Sequence, residues 1–146
     1  MALDSFLYIK SNQDAIQFRK WMVDNLDYKE DENSENIFKS GVFSIVSKYD
    51  TYLDVIEETY GFLPTVTIYF RLDKFEAFDE GFANMIYTVQ RIFDGIQCDE
   101  AILVGPGGET SLLYKNKQLV LQKNEWTGDN LSLFDSPYTL DGIVNM

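Results

Sequence analysis

Seven residues, Thr65-Val66-Thr67-Ile68-Tyr69-Phe70-Arg71, followed closely by a long helical pattern, constrain this chain more than any other stretch. The β-branched and aromatic run reads as a strand, because such side chains suit a pleated, half-buried surface. Phe78, Phe82, Met85, Ile86, Val89, Ile92 and Phe93 then recur along one helical face, and Gly95 closes the helix. Gly81 within it costs about 1 kcal/mol relative to alanine, so that helix must rely on packing rather than on propensity.

The remaining elements are read in the same way. Leu3 to Lys10 alternates as a first strand, with Phe6, Tyr8 and Lys10 against Leu7 and Ile9. Ser11 with Asp14 has capping-box spacing, and Ala15, Phe18, Met22 and Leu26, widened by Trp21, predict a helix to about Leu26. Asp27 to Asn36 reads as an exposed acidic loop, and Ile37 to Lys48 as a strand bulged near Gly41. Thr51 with Asp54 predicts a second cap, for a short helix from Tyr52 to about Tyr60 that stops at a left-handed Gly61. Ala101–Val104, Thr110–Tyr114 and Gln118–Lys123 read as a meander, and the last 23 residues resist assignment.

With no repeat or low-complexity linker, residues 1–146 are expected to form a single domain. The order of elements predicts an α+β fold. In it a mainly antiparallel sheet of about five to six strands carries two longer helices and one short helix on one face. No apolar run approaches the roughly 20 residues that span a bilayer. Met1-Ala2-Leu3-Asp4-Ser5 has neither the basic nor the apolar region of a secretory signal, so a cytoplasmic location is expected.

Charge narrows the function. The chain holds 24 acidic residues, 12 basic ones and no histidine. Nucleic acid and anionic membranes are therefore disfavoured as partners and basic surfaces favoured. The side chain most used for acid–base chemistry near neutral pH is missing. Zinc chemistry is disfavoured with a single cysteine, Cys98, which also lacks a histidine base to act as a nucleophile. Gly105-Pro106-Gly107-Gly108 lacks the lysine and serine of a phosphate loop and reads as a hairpin turn. The loop from Asp27 puts Lys29 and Glu32 where a calcium loop needs an oxygen ligand and a glycine. No metal or cofactor is expected. Asp73, Glu76, Asp79 and Glu80 read as helix-capping carboxylates, and Arg71 with Asp73 as a surface pair.

The block Gly61-Phe62-Leu63-Pro64 through Leu72-Asp73-Lys74-Phe75-Glu76 resembles the central signature of the third type of Sit immunity proteins. That family is named for the swarming-inhibition toxin systems of myxobacteria. The opening Met1-Ala2-Leu3-Asp4, the Lys117–Leu121 strand and Trp126-Thr127 are similar to that family as well. The resemblance implies a non-enzymatic protein that binds the C-terminal domain of a cognate toxin stoichiometrically and blocks it. Two alternatives stay open: a small acidic hydrolase working with carboxylates, and a non-catalytic adaptor subunit.

A toxin that cleaves nucleic acid needs a basic cleft, for which an acidic protein can compete. On that reading Glu30, Asp31, Glu32 and Glu35 are expected to face the partner, joined by Glu57 and Glu58 of the short helix. Aromatic anchors dominate many interfaces, which adds Tyr28, Tyr52 and Tyr60 as candidates.

Overall fold

Leu3–Lys10 forms strand β1 in the computed structural model, which describes residues 3–48 and 51–146. Met1 and Ala2, the first half of the opening tetrapeptide, lie outside the described residues. Asp14 caps helix α1, Ala15–Asn25, in a reciprocal box: its Oδ1 accepts from the Gln17 amide at 2.9 Å, and Gln17 Oε1 accepts from the Asp14 amide at 2.8 Å. The expected cap at Ser11 is thus displaced by three residues. The Ser11 hydroxyl instead donates to the Gln97 carbonyl and side chain.

The expected bulged strand from Ile37 is two strands. Lys29–Glu30 (β2), Ile37–Lys39 (β3) and Val42–Ser47 (β4) make an antiparallel ribbon, turning at Gly41, where φ is +82°. Gly41 explains the costly glycine in the long helix. A Cβ on Gly81 would overlap the Gly41 carbonyl, and one on Gly41 would overlap the Gly81 backbone. Two missing side chains let the β3–β4 turn lie directly on the helix.

Helix α2, Leu53–Tyr60, stops at Gly61 in the left-handed conformation, as expected. Its N-cap is Tyr52, whose side chain does not cap the helix, so the Thr51–Asp54 cap does not form. Strand β5 spans Val66–Leu72, and helix α3 Phe78–Gly95 buries Met85, Ile86, Val89 and Ile92 as its periodicity predicts. Strands β6 (Glu100–Val104), β7 (Thr110–Lys115) and β8 (Gln118–Gln122) form the meander. The β7–β8 turn places Asn116 and Lys117 at positive φ, 53° and 61°.

The tail, unassigned from sequence, contributes a short helix α4, Gly128–Leu131, and a strand β9, Thr139–Asp141. Two buried glutamines organise it. Gln90 of α3 accepts from the Asp135 and Ser136 amides at 2.9 and 3.1 Å and donates to the Leu133 carbonyl at 3.1 Å. Gln122 of β8 exchanges hydrogen bonds with both backbone groups of Ile143, at 2.7 and 2.8 Å. Buried amides satisfied this fully hold a segment that has little apolar surface of its own.

The strands order as β2-β3-β4-β5-β1-β6-β7-β8-β9, nine among the described residues rather than five or six. Pairing is antiparallel except between β8 and β9. The α+β class is as expected; the placement of all helices on one face is not. Leu7, Ile9, Ile68, Phe70, Leu103 and Leu121 point into one core with Phe18 and Met22 of α1 and Ile86 and Val89 of α3. The alternate residues Tyr8, Ile102 and Val104 point into a second core, covered by Ile56 of α2 and by Phe62. Central strands that are apolar on both sides need cover on both sides.

Candidate partner-binding surface

The acidic segment does not behave as one uniform patch. Asp31 holds the β2–β3 turn: its carboxylate accepts from the Asn33 amide at 3.0 Å and the Ser34 hydroxyl at 2.8 Å. These bonds keep its carboxyl below the usual aspartate range. Glu30 pairs with Arg19 of α1 at 3.0 Å. Glu32 and Glu35 sit exposed on the turn between them and β3.

Tyr28 is corrected outright. It is 1% exposed, lies in the core shared by α1 and α3, and its hydroxyl meets Thr88 Oγ1 at 2.8 Å. A ring buried at the root of the acidic turn anchors that turn and has no surface to offer a partner. Burial pushes its hydroxyl pKa up, only partly offset by the Thr88 bond.

On α2, Glu57 and Glu58 are exposed and Tyr52 is 56% exposed. Tyr60 is half-buried, and its hydroxyl bonds Thr110 and the Val144 carbonyl, tying the tail to the second core. The structure does not join the two acidic sets. The turn belongs to an edge hairpin, whereas α2 packs over β1 and β6. Strand β1 lies four places from β2, or roughly 19 Å at the usual strand spacing.

Between them is a surface that residue types alone did not reveal. Helix α2 covers the second side of the sheet over β1 and β6, and Thr67 of β5 is buried there too, leaving open the part that carries Phe38, Phe43 and Arg71. Register places Lys29, Phe38, Phe43, Arg71 and Asp4 in one cross-strand row over five strands. Ile45, Tyr69 and Phe6 make the next row on the same side. Phe43 is 50% exposed and Phe38 39%, with their rings 6.1 Å apart. Phe6 and Tyr69 lie 5.2 Å apart, and the Tyr69 hydroxyl donates to Asp4 at 2.8 Å. Burial and that carboxylate together push the Tyr69 pKa up to about 12. Arg71 Nε lies 4.0 Å from Asp4, so Arg71 pairs across the sheet and not with Asp73. Asp73 instead accepts from the Phe75 amide in the turn that follows β5.

The rows lead into a groove of about 530 Å³ lined by Phe6, Tyr52, Val55, Val104 and Met146. Asp4, which also lines it, is already engaged by Tyr69 and Arg71. Among the described residues no three acidic, cysteine or histidine side chains are placed to hold a metal ion. Gly105–Gly108 is a hairpin turn closed by the Gly105 amide on the Glu109 carbonyl at 2.9 Å. Cys98 is largely buried, and that burial, with Asp99 and Glu100 nearby, pushes its thiol up to about 12. No helix among the described residues is long and apolar enough to cross a membrane.

Comparison with known proteins adds one finding. A family model described as SitI3-like matches residues 6–130, from β1 through most of α4. No curated protein and no solved structure gives a significant match to the chain.

Proposed function

The chain belongs to the SitI3-like family, and from that premise we propose that it is an immunity protein acting by stoichiometric capture of a cognate toxin domain. The observation that carries this reading is the extent of the family match, which takes in the second core, all buried residues of the first except Phe134, and every strand from β1 to β8 except the first three residues of β1. In the producing cell's cytoplasm it would block the C-terminal toxic domain of its partner before harm is done. A toxin with a basic, nucleic-acid-cleaving cleft suits a chain with twice as many acids as bases. Glu32 and Glu35, with Glu30 beside them, supply exposed negative charge on one hairpin, and Glu57 and Glu58 supply it on α2. These charges chiefly set the rate of encounter, because exposed rim charges steer association more than they hold the complex together.

Two measurements test this. The C-terminal domain of the toxin encoded beside this chain is induced in a sensitive bacterium, with and without the chain. Growth restored only by co-expression, with a one-to-one complex on purification, is the expected result; persistent killing despite soluble expression rejects the reading. Replacing Glu30, Glu32 and Glu35 together by lysine should then slow association about tenfold at low salt and flatten its salt dependence. Asp31 is spared because it holds the turn. Association rates unchanged at low salt would remove the steering role from this hairpin.

A further inference from the structure

We propose that the open side of the sheet, centred on Phe38, Phe43 and Arg71, is the surface on which the toxin domain docks. This rests on the immunity reading and places the main contact away from α2. Its basis is the contrast between an apolar surface and the cover provided for it. The second side of β3, β4 and β5 carries two phenylalanines with two-fifths to half of their surface in water, flanked by half-buried Ile45 and Tyr69. Among the described residues α2 packs on Tyr8, Ile102 and Val104, and the tail is held at Thr110 and Gln122, away from these side chains. Exposed aromatics around an arginine are the composition of interface anchors. Contiguous exposed apolar surface on a chain otherwise rich in charge marks an interaction site.

Charge states the partner's chemistry. Glu30, paired with Ile37, leads directly into the turn bearing Glu32 and Glu35, one residue along the hairpin from the Lys29–Phe38 pair. The aromatic pair therefore lies between Lys29 of β2 and Arg71 of β5, with Glu32 and Glu35 on the turn beyond it, while Glu30, opposite buried Ile37, faces the α1 side and pairs with Arg19. The Arg71–Asp4 pair is long, at 4.0 Å, and about half exposed on both partners, which leaves guanidinium donors available to a second carboxylate. The complementary surface is that of a folded protein with an apolar centre, carboxylates opposite Lys29 and Arg71, and lysines or arginines facing Glu32 and Glu35. A toxin domain that works on a polyanion carries such a basic margin.

The test uses the full chain and the C-terminal domain of the toxin encoded beside it, with affinity measured by titration calorimetry. Phe38→Thr and Phe43→Thr keep strand-forming side chains at exposed positions. Each should weaken binding about 30-fold, the loss typical of an interface anchor. Circular dichroism and melting temperature should stay near those of the parent. Arg71→Gln should weaken binding by a smaller factor. Hydrogen exchange on the unmutated complex gives a second readout, with protection expected across Phe38–Phe43 and Tyr69–Arg71. A parent that binds while both threonine variants bind equally well, with no protection there, overturns the docking surface and leaves the immunity reading intact. A parent that neither binds nor rescues overturns both. Concentration-dependent dimerisation of the free chain that Phe43→Thr abolishes would assign the surface to a second copy instead.

Discussion

The two sides of this sheet are built from the same strands and finished differently. The side under α1 and α3 is sealed: Leu7, Ile9, Ile68, Phe70 and Leu112 all have no exposed surface. The side under α2 is sealed over β1 and β6 at Tyr8, Ile102 and Val104 and over β5 at Thr67, and it stays open around Phe38, Phe43 and Arg71. Alternation along a strand puts Phe70 into the first side and its neighbours Tyr69 and Arg71 onto the second. The difference separates two roles for aromatic residues on one scaffold. Those on the sealed side stabilise the fold, while those on the open side are held in place by it at little energetic consequence to it. The open side is thus free to vary with a partner.

The sharpest way to break this distinction is to truncate one aromatic on each side. Phe70→Ala removes a fully buried ring from the sealed core and should cost about 3–5 kcal/mol of unfolding free energy. Phe43→Ala removes a half-exposed ring and one cross-strand partner, a loss below about 1 kcal/mol. Urea denaturation of the two variants measures both. Comparable losses would mean that the open side contributes to the fold as much as the sealed one.

A second variant probes how the ribbon is attached to the sealed side. An exposed helix glycine replaced by alanine ordinarily gains about 1 kcal/mol. At Gly81 the added carbon would overlap the Gly41 carbonyl, and the turn must move off α3. Gly81→Ala should therefore destabilise by about 1–3 kcal/mol, the usual range for overpacking. A stabilised variant would show that the β3–β4 turn is free to shift, and with it the part of the sheet that carries Phe38 and Phe43.

Much of this was legible from residues alone, and the exceptions share a cause. Strand β1 spans the expected residues, and helix α3 buries the expected face because its period of 3.6 leaves one consistent burial pattern. The region around Gly41 was not legible, since a glycine within a β-branched run fits a bulge and a tight turn equally well. The side on which α2 packs was hidden because β1 and β6 are apolar on both sides, as Leu7, Tyr8 and Ile9 are in succession. The tail was hidden because Gln90 and Gln122, which hold it, are polar residues in apolar patterns. The acidic residues of the candidate surface were visible as charge. The Phe38–Phe43–Arg71 row was not, since its members lie in three strands and meet only through register. Tyr28 was misplaced because the nine polar residues that make up the rest of Asp27–Asn36 read as loop, while a two-residue strand and a buried hydroxyl partner draw it inward.

Tyr28 also gives the finest test of the sealed side, through pH. Tyr28→Phe removes the hydrogen bond to Thr88, whose hydroxyl keeps its own bond to the Asn84 carbonyl at 2.7 Å. No buried polar group is orphaned, so the expected loss at pH 8 is about 1 kcal/mol. Burial raises the tyrosine pKa in the folded chain above the value near 10 that an unfolded chain shows. Below pH 10 both states hold the proton, and its stabilising effect is fully present. Above it the unfolded state releases the proton while the folded state retains it, so stability falls as pH rises, by up to about 1.4 kcal/mol per unit. The variant has no such group. Tyr60, Tyr69 and Tyr114, whose pKa values are also raised, remain in both proteins and drop out of the difference. The deficit of Tyr28→Phe at pH 8 should therefore shrink to nothing or reverse by pH 11 in parallel urea titrations. A deficit of the same size at both pH values would mean that this hydroxyl reaches water, and that the root of the acidic hairpin is not sealed against the core.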